Sequence, residues 1–99
     1  MSFSPYNGHD HKDPLNIALF ANGAELLPDL GYTHTFYRQW SVSTLGHNTV
    51  TVNGQDARTA GSAKRGGDIG LFVSEGDVQI IQAKQTAAYE EVKEYSREL

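Results

Sequence analysis

Asn16-Ile-Ala-Leu-Phe-Ala21, then Asn22-Gly23, then Ala24-Glu-Leu-Leu27 is the stretch whose reading decides the fold. Two short apolar runs flank an Asn-Gly pair, and a type I′ turn needs positive φ at both of its central residues, so the stretch reads as a hairpin. The same grammar recurs in His47-Asn-Thr-Val-Thr-Val52 followed by Asn53-Gly54, where Val50 and Val52 alternate with Thr49 and Thr51 as on a half-buried strand. A third pair, Ile69-Gly-Leu-Phe-Val73 and Val78-Gln-Ile-Ile-Gln-Ala83, is joined by Ser74-Glu-Gly-Asp77. Hairpins following one another build an antiparallel layer, and the chain is expected to be all-β.

Two segments do not fit that grammar. Residues 54–67 are polar and contain Gly61, Gly66 and Gly67, which reads as a mobile loop. In residues 86–99, Tyr89, Val92 and Tyr95 recur at helical spacing among Ala, Glu and Lys, so propensity alone gives a helix there.

The chain has 99 residues, room for one core and one domain. Hydrophobic residues make up 38% and charged residues 20%, a composition that folds. No apolar run approaches the roughly 20 residues a membrane-spanning helix needs. The start, MSFSPYNG, has no basic patch followed by an apolar run, so no signal peptide is visible. A net charge of −4 with scattered Lys and Arg excludes the basic face of a nucleic-acid binder. Eight Lys and Arg are also a thin supply for a stand-alone polyanion binder. With no cysteine, disulfides, thiol catalysis and Cys-type zinc sites are excluded, and any metal site must use His, Asp and Glu.

The densest group of chemistry-bearing residues is Tyr6-Asn-Gly-His9-Asp10-His11-Lys12-Asp13-Pro14-Leu15-Asn16. On an extended segment, His9 and His11 point to one side, and imidazole is a favoured zinc ligand. The plainer reading is a polar loop entering the first strand, with Asp13 fixing a turn ahead of Pro14. Asp29 ends an apolar strand in Leu26-Leu27-Pro28-Asp29-Leu30-Gly31-Tyr32, and His47 opens the next in Ser43-Thr44-Leu45-Gly46-His47. Singly, these are a turn-capping carboxylate and a hydrogen-bonded strand-end histidine. Together, the three segments lie at the mouths of neighbouring β elements, where ligands converge.

The ordered motifs His-x-His-x-Asp-Pro-Leu-Asn, Leu-Leu-x-Asp-x-Gly-Tyr, a Trp, and Ser-Thr-x-x-His-Asn-Thr-Val-x-Val-x-Gly resemble the heparinase II/III-like family of bacterial polysaccharide lyases. The resemblance spans residues 6–54 and, more loosely, 89–97; residues 57–67 add nothing to it. It implies an antiparallel β-sandwich segment, residues 1–99, of a larger enzyme in which the sandwich packs on an N-terminal α/α toroid. It also implies a substrate of uronic-acid-containing polysaccharide cleaved by β-elimination, and a periplasmic or secreted location for the whole protein. Position by position, His11, Asp29 and His47 match the ligands of a zinc ion regarded as structural, and His9 matches a histidine facing the cleft.

Within Tyr32-Thr-His34-Thr-Phe-Tyr37-Arg38-Gln-Trp40, read as a loop over the cleft, Tyr37 or Tyr32 matches a proton-donating tyrosine. Arg38 and Trp40 are the candidates for substrate carboxylate and sugar face, with core packing the alternative for Phe36 and Trp40. For the tail, the resemblance implies a loop and then a strand near residues 92–99, against the helix that propensity gives, and the strand is adopted here. In such enzymes most catalytic groups come from the toroid, so the 99-residue piece is expected to be inactive alone. Two other readings stand beside this one. One is a non-catalytic carbohydrate-binding β-sandwich module. The other is a cupin-like metal enzyme, disfavoured because residues 12–18 contain no Glu after the His pair.

Overall fold

The computed structural model describes Met1, residues 11–57 and residues 67–99. Over these residues the chain is nearly all-β, in two antiparallel sheets. Strand β1 (Leu19–Ala21) pairs with β2 (Ala24–Leu27), and β3 (Gly67–Glu75) pairs with β4 (Val78–Gln85), which pairs with β5 (Ser96–Glu98). The only α-helix among the described residues is α1 (Arg38–Ser41), followed by a 3-10 turn at Thr44–Gly46.

The turns form where their residues permit them. Asn22 and Gly23 take φ of 54° and 78°, the left-handed pair that a type I′ hairpin requires. Strands β3 and β4 meet across Gly76, at φ 57°. Their ladder slips between Ile69 and Leu71, and a Cβ on the intervening Gly70 would come within 2.6 Å of Gln82 Oε1. Glycine at that bulge leaves room for the Gln82 side chain.

The expected strand at residues 47–52 does not form. Only an isolated bridge joins Val52 to Gln55, around Asn53 and Gly54 at φ 52° and 66°. The turn was legible from its Asn-Gly pair; the strand leading into it was not there to find. Side chains from the C-terminal tail occupy the carbonyls that a partner strand would have taken. Arg97 Nη1 donates to Asn48 O at 2.6 Å and the Tyr95 hydroxyl to Val50 O at 2.7 Å. The Tyr89 hydroxyl donates to Val50 O and Gln55 O at 3.4 and 3.3 Å.

In the tail, the helix given by propensity is absent and a short strand, β5, stands near the chain's end. Tyr89, Val92 and Tyr95 recur at helical spacing for another reason. Tyr89 is buried against Ala57 and Ala88, and Val52, Val92 and Tyr95 pack around that cluster. Within the stretch read as a mobile loop, residues 58–66 lie outside the described residues. Its ends are structured: Gly67 opens β3, and Ala57 is buried with its N–H donated to Thr44 Oγ1 at 2.7 Å.

The buried core is small, whereas Phe20, Leu26, Phe72 and Val78 on the strands are more than half exposed. Apolar sheet faces of this kind belong to layers of a sandwich.

Candidate metal and cleft site

The site is built from three loops held together by backbone acceptors. In the first, Asn16 N–H donates to Asp13 O at 3.0 Å, closing a turn with Pro14 in its second position and Leu15 at φ 59° in its third. A leucine in the left-handed region costs about 1–3 kcal/mol. Two contacts hold it there: its side chain is 2% exposed, and its carbonyl accepts Arg97 Nη1 at 2.7 Å.

The second and third loops are stitched to the first by the two asparagines of the quoted motifs. Asn48 N–H donates to the buried Asn16 Oδ1 at 2.9 Å, and Asn48 Nδ2 donates to Ile17 O and Pro28 O at 3.1 and 2.9 Å. Thr49 Oγ1 donates to Pro14 O at 2.6 Å and also meets the Tyr95 hydroxyl at 2.9 Å. The first loop is further tied down by Lys12 N–H on Val42 O at 3.0 Å and by the hydroxyl of fully buried Thr44 on Lys12 O at 2.6 Å. Together these bonds fix where His11, Asp13, Asp29 and His47 stand.

Asp29 Oδ1 lies 2.8 Å from His47 Nδ1, and the His47 side chain is completely buried while Asp29 is 43% exposed. On the other ring nitrogen, His47 Nε2 lies 3.1 Å from His11 Nδ1. With the carboxylate ionised and both imidazoles neutral, the proton order follows from what each atom can accept. His47 donates Nδ1–H to Asp29, and His11 donates Nδ1–H to His47 Nε2. His11 Nε2 is then a lone pair, and it is buried with no hydrogen-bond partner among the described residues. An unsatisfied buried acceptor costs about 1–3 kcal/mol, which binding an electrophile there would recover.

A second set of donors meets at His47. One ligand atom from each of Asp13, Asp29 and His47 lies within 4.8 Å of the others, a group able to hold a metal ion. Thus Asp29 and His47 belong both to this group and to the imidazole chain that reaches His11. The donors are nitrogen and oxygen, suited to zinc or another divalent cation. Asp13 carries no separate signal in the sequence, because Asp before Pro reads simply as a turn.

The aromatic segment is exposed, with its end wound into α1. Tyr32 packs edge-on against His11 at 4.7 Å between ring centroids, and the Arg38 guanidinium sits 5.1 Å above the Tyr32 ring. Arg38 Nη1 also donates to Thr33 O at 3.3 Å, so this cation is held in place. Tyr37 is 69% exposed beside Phe36, and Trp40 is 52% exposed. Of the two candidate tyrosines, Tyr32 is the one in contact with His11. His9 lies outside the described residues.

One electrostatic feature borders the site. Lys12 Nζ is 2.8 Å from Asp56 Oδ2, and Thr44 N–H donates to Asp56 Oδ1 at 2.9 Å. Burial pushes the Asp56 carboxyl up, but the Lys12 and Thr44 hydrogen bonds and the Lys12 charge outweigh it and hold the group below its ordinary 3.8. A depressed carboxylate contributes stability above its unfolded pKa and loses it as pH falls through the folded value. The pair is more than a third exposed, so the contribution is screened and modest. Asp56→Asn is therefore expected to flatten the acid end of the stability profile below about pH 4, read by urea denaturation across pH. An acid limb identical to wild type would contradict the assignment.

Sheets, stitched loops and a His–Asp cluster define an antiparallel β-sandwich segment with a candidate cation site. The family model described as heparinase II/III-like, C-terminal, matches residues 2–99. The chain is also similar to an exo-oligoalginate lyase of Saccharophagus degradans, 32% identical over 104 residues, covering 87% of this chain and 14% of that protein. No solved structure matches. The chain belongs to the heparinase II/III-like C-terminal family.

Proposed function

We propose that this segment is part of a polysaccharide lyase acting on uronic-acid polymers, to which it supplies a zinc site and one wall of the cleft. The observation that carries this reading is the Asp29–His47–His11 chain ending in a buried, unpartnered nitrogen, in a segment related to an exo-oligoalginate lyase. The zinc would be held by His11, Asp29 and His47. When bound, it would supply fixed positive charge that ties the three loops together.

The chemistry is β-elimination beside a uronate. A base removes the C5 proton, the C5–H electron pair forms the C4=C5 double bond, and the C4–O4 bond breaks with O4 taking a proton. The C5 proton becomes acidic enough only when donors neutralise the C6 carboxylate. In this reading His9 and Tyr37 face the reacting sugar in the two proton steps. Arg38, whose guanidinium is already held by Tyr32 and Thr33, meets a substrate carboxylate, and exposed Trp40 stacks on a sugar face. The remaining groups come from an α/α toroid of the same protein, which works in the periplasm or outside the cell.

The test is absorbance of the unsaturated uronate. The whole protein carrying this segment is expected to cleave a uronic-acid oligosaccharide and to leave its carboxyl-reduced analogue intact, while the 99-residue chain alone releases no product. Equal cleavage of both substrates, or turnover by the isolated chain, sinks this assignment.

A further inference from the structure

We infer that Asp13 is a further ligand of the metal centre, meeting Asp29 and His47 there; the inference rests on the zinc reading above. Asp13 and Asp29 are acceptor-only when ionised, yet their carboxylates converge with His47 to within 4.8 Å. Two like charges at that spacing repel, and the fold must supply something to hold them there. Among the described residues, no Lys or Arg is paired with either one: Lys12 is committed to Asp56 and Lys84 to Glu94. A divalent cation neutralises both carboxylates at once.

The turn explains why an aspartate stands at this position. The Asp13 main-chain carbonyl, not its side chain, closes the turn to Asn16. Pro14 and the left-handed Leu15 fix the backbone, and Arg97 and Thr49 hold the carbonyls of Leu15 and Pro14. The carboxylate is left over from the turn's own bonding and is aimed at Asp29 and His47. A backbone strained at Leu15 and braced from three sides is a costly way to build a surface turn, and a sound way to place one oxygen.

The consequence is chemical. Asp13, Asp29 and His47 supply two oxygens and one nitrogen to a single cation, whereas His11 stands at the opposite ring nitrogen of His47. Two carboxylates also cancel the charge of a divalent ion.

The test compares wild type with Asp13→Asn and Asp13→Ala, using zinc competition against a chromophoric chelator, melting with and without EDTA, and the visible spectrum of the Co²⁺-loaded chain. The expected result is a loss of zinc affinity of about tenfold or more in both variants. Melting in EDTA should match wild type, because the turn needs only the main chain. The Co²⁺ bands should change, because a neighbouring charge that is not a ligand would weaken binding without altering them. Unchanged affinity, an unchanged Co²⁺ spectrum, or an equal loss of melting temperature in EDTA overturns the role of Asp13 while leaving the zinc reading intact. A wild-type chain that binds no zinc overturns both.

Discussion

Arg97→Met is expected to lower the melting temperature by more than about 10 °C, the largest loss of any single side-chain replacement proposed for this chain. One guanidinium nitrogen donates at 2.7 Å to Leu15 O and at 2.6 Å to Asn48 O. Hydrogen bonds from a charged group are each worth about 1.5–3 kcal/mol, and methionine leaves both part-buried carbonyls without that partner. A total near 3 kcal/mol, at about 4–8 °C per kcal/mol for a domain of this size, gives the stated shift. Arg97→Lys should recover part of the loss, since both acceptors face one nitrogen and an ammonium can serve two acceptors, although from a shorter stem. Circular dichroism melts of the three proteins decide the matter. If Arg97→Met melts within 2 °C or so of wild type, the bonds do not brace the loops as described.

Stripping the proposed zinc is expected to have an effect of similar size. A ligand present at about 100 times its Kd stabilises the folded state by about 2.7 kcal/mol, since the unfolded chain has no preformed site. By the same conversion, EDTA should lower the melting temperature by more than about 10 °C. His47→Ala should melt alike with and without EDTA, because Asp29 and His11 both meet that ring. Elemental analysis that finds no zinc in the purified wild type, together with melting indifferent to chelator, would falsify the metal reading.

The parts of the fold that were legible in the sequence are those decided within a few residues. Asn22-Gly23 and Asn53-Gly54 each required two left-handed residues in a row and took them. The β3–β4 hairpin needed only two apolar runs and Gly76. The alternation of Thr49, Val50, Thr51 and Val52 misled: Val50 is 56% exposed, and the carbonyls of Asn48 and Val50 bond to side chains rather than to a partner strand. Those carbonyls are met by Tyr89, Tyr95 and Arg97, about 40 to 50 residues away, and no local pattern announces them.

The site was legible in a similar way. Asp29 and His47 stood out as polar groups at strand ends, and the structure places them 2.8 Å apart. Asn16 and Asn48 sat inside the quoted motifs without a role, and their role is to bond each other's loops. Arg97 went unremarked for chemistry because a lone arginine in a polar tail resembles any solvated charge.

The bond from Arg97 to Leu15 spans 82 positions of a 99-residue chain. Closing so long a loop is entropically unfavourable and slow, and during synthesis it cannot begin until Arg97 has left the ribosome. The hairpins, whose partners are adjacent, are free to form well before then. Bracing of the site loops is therefore the closing event of assembly rather than its nucleus. A chain cut before Arg97 would carry every candidate ligand and still lack the brace that sets them in place.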